Sequence, residues 1–247
     1  KDGTHFYCEV AASLVRNAKG KPVGFLGINR DITDRKRDEE RLIKLNECFL
    51  SLGTDPLDNI QRFVIAGRDI LEADLIRYGR MEKGELYVFS SLRAEEGFLK
   101  ITDVEDCLCY YLMSKGDSES VTCKEIATQV LERDPEIRGY GFRSCLYFPI
   151  RVHGERIGCL NLLDREDREY TQVEVDTLAM LCKAIEIEEE RYAFNESLRD
   201  FVDIASHELR HPVALLAGYT ETLESHGAES DEPTRQEIIG AIRQSVD

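Results

Sequence analysis

Ser144-Cys145-Leu146-Tyr147-Phe148-Pro149-Ile150-Arg151-Val152, then His153-Gly154-Glu155, then Arg156-Ile157-Gly158-Cys159-Leu160-Asn161-Leu162-Leu163 is the stretch that sets the fold class. Two strand-like apolar runs joined by a short glycine-containing link predict a β-hairpin. Upstream of it, Leu57–Leu71 is helix-periodic, and Asp74–Arg80 and Leu86–Leu92 are strand-like around a Glu82-Lys83-Gly84 turn. Lys124–Arg133 reads as a short helix. Downstream, the pattern turns helical at Thr171 and stays so to about Ser225. Leu178, Leu181, Ile185, Tyr192, Leu198, Val202, Leu209, Leu216 and Leu223 fall on one stripe, roughly every 3.5 residues, which is the mark of a helix that pairs with a second copy. A loop over Ser225–Pro233 and a return helix over Thr234–Val246 follow. The class this predicts is α+β: an antiparallel sheet with flanking helices, then a long helix and a helical hairpin.

The N-terminal stretch holds two further strands, around His5–Arg16 and Val23–Arg30, joined by a turn at Asn17–Pro22. A hairpin of about thirty residues cannot bury a core alone, so it is expected to be the end of a domain begun upstream. Thr33 or Asp34 is placed to cap a charged helix that carries Leu42, Leu45, Phe49 and Leu52. That pattern suits a linker helix with a heptad-like seam and suits a solvated surface helix equally.

With 247 residues the chain holds one large or two modest domains. Its formal net charge of −16 argues against a nucleic-acid or anionic-membrane partner, either of which would require a basic face. No apolar span approaches the ~18–20 residues of a membrane helix, and no signal-peptide pattern is present, so a soluble, cytoplasmic chain is expected. Of the eight cysteines, none forms a Cys-x-x-Cys pair. A reducing compartment, with most thiols acting as small buried hydrophobes, is the reading that fits.

The chain resembles PAS/GAF sensor histidine kinases of two-component systems. Residues 1–33, with their final hairpin and Asp31-Ile32-Thr33 exit, resemble the end of a PAS domain. Residues 34–52 form the linker helix, 53–190 resemble a GAF sensor domain, and 191–247 resemble the dimerisation and phosphoacceptor helices. The motif Ser206-His207-Glu208-Leu209-Arg210-His211-Pro212 is similar to the family's H-box. The resemblance implies that His207 is the nucleophile taking a phosphoryl group from ATP and that Glu208 orients its ring. It also implies a homodimer and a partner response regulator or transcription regulator. ATP and Mg2+ are expected in a domain outside this stretch, so the stretch is not expected to autophosphorylate alone. Pro212 removes one backbone donor and is expected to kink the helix. One departure bears on phosphatase activity: four residues after His207, where the family usually has Thr or Asn, stands His211.

His207–His211 also spells H-E-x-x-H, a zinc-protease signature, although no downstream third ligand stands out. Within the GAF-like part, Cys107-Leu108-Cys109-Tyr110-Tyr111 lies where that family walls its ligand pocket. The arrangement looks similar to haem-binding sensor kinases of methanogenic archaea associated with methyl sulfide methyltransferases. The resemblance implies a haem joined covalently to Cys107, with His153 as the iron ligand and redox state as the signal. From the residues alone, Cys107 reads as a core thiol and His153 as a solvated turn residue. A thiol redox switch among Cys107, Cys109 and Cys123 is a further alternative, in a GAF dimer that need not be catalytic. A zinc site from those cysteines with His153 is another.

Overall fold

The computed structural model describes residues 6–114, 121–122, 133–134, 137–226 and 232–244. The expected helix over Lys124–Arg133 lies outside the described residues, apart from Arg133. The chain divides into two compact units, residues 1–190 and 191–247.

In the first unit, β1 (Cys8–Arg16) and β2 (Pro22–Asp31) pair antiparallel as a two-stranded ribbon with every residue exposed. The Asn17 side chain accepts hydrogen bonds from the Lys19 and Lys21 amides, both at 3.0 Å, and so closes the turn. Helix α1 (Thr33–Leu50) starts differently from the expectation. Ile32 holds the cap position, without a side-chain cap bond, and Thr33 is already helical. The Thr33 hydroxyl is committed elsewhere: it donates to Asp31 at 2.6 Å and accepts the Tyr7 amide at 3.0 Å. The α1 stripe also divides. Leu45 and Cys48 are buried and Phe49 meets Phe63 of the next helix at 5.4 Å, whereas Leu42 remains 65% exposed.

Helix α2 (Pro56–Leu71) follows the rules for its ends. Asp55 accepts from Leu57 and Asp58, Pro56 needs no partner in the first turn, and Glu72 leaves in the left-handed region. Its buried face, Ile60, Phe63, Val64, Gly67, Ile70 and Leu71, repeats at helical spacing.

The sheet holds β3 (Leu75–Glu82), β4 (Glu85–Ser90), β5 (Leu99–Ile101), β6 (Val121–Thr122), β7 (Ser144–Val152) and β8 (Glu155–Asp164). All neighbours are antiparallel, in the order β5-β4-β3-β8-β7-β6. The β7–β8 hairpin closes through His153 and Gly154, both at positive φ. Alternation along each strand sorts the side chains into two layers. Ile76, Tyr78, Phe89, Leu146, Ile150, Leu160 and Leu162 join α2 and the buried Leu178, Leu181 and Ile185 in one apolar core. Leu75, Leu86, Val88, Cys145, Tyr147, Cys159 and Leu163 face the other way, toward a short helix, α3 (Leu108–Ser114), with Ile137 and Phe142.

The last strand leads into α4 (Gln172–His226), 55 residues long and continuous through Pro212, so the proline does not end it. One lost backbone bond, costing about 3 kcal/mol, is carried by the turns on either side. Within the second unit, α5 (Glu232–Gln244) follows.

Candidate functional site

Two places in the molecule are candidate sites. The first is the α3-covered face of the sheet. Register sets Arg77 of β3 opposite Asn161 of β8, and Asn161 opposite Tyr147 of β7, so these three side chains form one row across the sheet. In the next row Gly79 pairs with Cys159. A Cβ on Gly79 would lie 2.7 Å from both Cβ and Sγ of Cys109, so only glycine lets α3 sit this close to β3.

Polar groups in this layer are deeply buried. Arg77 is 0% exposed and donates to Asp134 Oδ2 at 2.8 Å, and the same oxygen accepts the Leu108 amide at 2.8 Å in the first turn of α3. Cys107, Cys109 and Cys159 form a run of thiols. Cys107 donates to Cys109, Cys109 bonds to Cys159, and the Cys159 thiol turns back to the Cys109 carbonyl at 3.7 Å. The bond to Cys109 and burial push the Cys107 thiol up, and Cys109 is also held up overall: its bond from Cys107 is outweighed by Cys159 and burial. Both are thiols, not thiolates, at neutral pH. Asn161 Nδ2 donates to Cys109 Sγ at 3.1 Å. Among the described residues, the Asn161 Oδ1 and Tyr147 hydroxyl are buried without a hydrogen-bond partner, on the same face and in adjacent positions. Buried polar atoms of this kind are ordinarily satisfied.

Of the sensor residues expected from sequence, Cys107 lies in this layer, 1% exposed, at the start of α3. His153 lies at the exposed hairpin tip, φ 51°. Cys109 is in the layer and Cys123 lies outside the described residues. Among the described residues, no three His, Cys, Asp or Glu side chains are grouped to hold a metal; the zinc reading that includes Cys123 reaches outside those residues.

On the opposite face of β3, Tyr78 and Arg80 reach the last turn of α4 within the first unit. The Tyr78 hydroxyl donates to Glu189 Oε1 at 2.8 Å, and Arg80 contacts both Glu189 oxygens at 3.4 Å and Glu82 at 2.7 Å. Burial raises the Glu189 carboxyl above the ordinary range, against the pull of Arg80 and Tyr78. Gly158 makes room: a Cβ there would strike the Gly79 carbonyl and approach the Tyr78 ring at 3.2 Å.

The second place is on α4 in the second unit. His207, Glu208 and His211 are exposed and, with Asp203 and Ile204, line a shallow cleft. Sequence reading placed His207 and Glu208 but missed Arg77, Asp134, Tyr147, Asn161 and Glu189. An arginine inside the apolar run Leu75-Ile76-Arg77-Tyr78 was the available signal for the first of these.

A family model described as the GAF domain matches residues 47–188, and one described as the His Kinase A (phospho-acceptor) domain matches residues 197–247. The first spans more than half of the chain, which belongs to the GAF domain family. With the phosphoacceptor domain following it, the chain is that of a GAF-containing sensor histidine kinase. Among solved structures, the GAF domain of a phosphoenolpyruvate-protein phosphotransferase from Coxiella burnetii is 16% identical at a TM-score of 0.51, covering 64% of this chain and 96% of its own. That likeness shows the fold. The GAF domain of a two-component sensor histidine kinase from Bacillus halodurans is 17% identical at a TM-score of 0.45, covering 57% of this chain and 97% of its own. No curated protein matches the chain. No helix among the described residues is long and apolar enough to cross a membrane.

Proposed function

We propose that the α3-covered face of the GAF sheet is the sensing side and that it controls phosphorylation of His207. The observation that carries the second half is an exposed histidine in Ser206–Pro212, on a continuous helix within the matched phosphoacceptor domain. A neutral imidazole nitrogen attacks the γ-phosphorus of ATP, the bond to the β-phosphate oxygen breaks, and ADP leaves. Glu208 takes the hydrogen bond of the other ring nitrogen. ATP and Mg2+ come from a separate catalytic domain. The exposed apolar residues Phe194, Leu198, Phe201, Val202, Leu209 and Val213 supply the homodimer surface, and a response regulator receives the phosphoryl group.

Full-length kinase incubated with γ-labelled ATP is expected to acquire acid-labile, alkali-stable phosphate. His207→Ala should remove it entirely. Label that persists in the variant, or never forms in the parent, would overturn the assignment.

For the sensing side we propose haem as the ligand. The support is the buried Cys107 thiol in the α3-covered layer, with the Tyr147 hydroxyl and Asn161 Oδ1 unpartnered there among the described residues; His153 stands apart from them at the exposed hairpin tip. Cys107 would hold it by a thioether and His153 would supply a nitrogen ligand; such a group would contribute an iron whose oxidation state changes the local charge. Tyr147 and Asn161 would orient it. A thiol switch is less well supported, because a peroxide-sensitive cysteine needs an exposed thiolate, and Cys107 and Cys109 are buried and protonated. The purified chain mixed with haem is expected to give a Soret band that shifts on reduction. Acid-acetone should extract the haem only from Cys107→Ala, and His153→Ala should change the reduced spectrum. A spectrum equal to free haem would reject haem and leave the kinase assignment standing.

A further inference from the structure

The phosphoacceptor reading uses His207 and leaves His211 without work. The two lie four residues apart on α4, both exposed, and the helix runs on through Pro212. Residues at this spacing stand one above the other, with Cβ atoms about 5–6 Å apart. A metal–imidazole bond is about 2.0–2.1 Å long, so one ion can reach both rings across a single turn. Asp203, one turn before His207, and Glu208 line the same cleft and make it attractive to a cation; Arg210, the cation within the run, is not among its lining residues.

We propose that His207 and His211 form a two-imidazole site for a divalent transition-metal ion of the Zn2+ type, and that its occupation blocks phosphorylation of His207. Among the described residues no third side chain joins a closed ligand set, so water completes the coordination and the ion exchanges freely. This is the opposite of a structural zinc centre and of a protease centre. Each ring donates a nitrogen lone pair, bound water leaves the ion, and no electron or proton changes hands when the imidazoles are neutral. The lone pair that would attack phosphorus is then held in the metal–nitrogen bond. The metal site stands on spacing and exposure alone; the inhibition rests on the reading of His207 as phosphoacceptor.

The test has two arms. The 247-residue chain is titrated with ZnCl2 alone, followed by calorimetry and by the imidazole NMR resonances. The His207 and His211 resonances should move together, and His207→Ala or His211→Ala should each weaken binding at least tenfold. Wild-type affinity in His211→Ala, or zinc that leaves these resonances unmoved, would overturn the site. In the second arm, full-length kinase with saturating Mg-ATP receives Zn2+. Autophosphorylation should fall at least fivefold, recover with a zinc-selective chelator, and resist the same Zn2+ in His211→Ala. Equal inhibition of both proteins would place the metal elsewhere and overturn the inhibition. If the kinase never labels His207 even without zinc, the phosphoacceptor reading fails, and the titration alone still supports or overturns the metal site.

Discussion

Asp134→Ala is expected to cost about 3–5 kcal/mol of stability, the range for breaking a buried ion pair from one side. Arg77 has no exposed surface, and its charge is balanced there by an Asp134 carboxylate 2.8 Å away. The substitution leaves a guanidinium charge in the interior and removes the acceptor of the Leu108 amide as well. A control separates charge from packing: Arg77→Met combined with Asp134→Leu removes both charges and should recover much of the loss. Urea midpoints of the chain measure both. A double variant as unstable as the single one would show that packing at these positions, and not the loss of the Asp134 carboxylate beside Arg77, sets the cost.

Arg80→Met is expected to have a cost that depends on pH. Glu189 is almost completely buried and holds its proton more tightly folded than unfolded. The stability this contributes is present below the ordinary glutamate range and declines as pH rises through the folded value. Arg80 limits that decline by neutralising the carboxylate. Without it the variant should lose up to about 3 kcal/mol as pH rises through the range in which Glu189 ionises with no cation beside it, and distinctly less below that range. Adding Glu189→Gln should make the loss the same within that range and below it. A cost that does not vary with pH in Arg80→Met alone would mean that the guanidinium over Phe98, its Cζ 5.6 Å from the ring centroid, is what matters.

The parts of the fold governed by local periodicity were legible in sequence. The β7–β8 hairpin, the Leu57–Leu71 helix and the long helix into Ser225 each repeat their apolar residues at the interval their geometry requires. Thr33 does not cap α1 because its hydroxyl is already used, donating to Asp31 and accepting from the Tyr7 amide. The GAF face was legible only in part. Family likeness led to the expectation of Cys107 and Cys109 in a pocket wall, and they stand buried in the α3 layer, whereas the row of Arg77, Asn161 and Tyr147 exists only through strand register across three strands. Asp134 reaches Arg77 from 57 positions away, and no short-range pattern encodes such a pair. His207 is the candidate most legible in sequence because the Ser206–Pro212 motif around it is contiguous.

The alternation along β3 has a thermodynamic consequence. Arg77 and Gly79 meet the α3 layer, while Tyr78 and Arg80, one position along, hold the proton-binding Glu189 on the other side. A molecule that settles against α3 and shifts this strand changes how tightly Glu189 binds its proton. Reciprocity then requires the affinity for that molecule to vary with acidity by the same factor. A ligand titration repeated at several pH values therefore measures, without any kinase assay, how stiffly one face of the sheet is tied to the other.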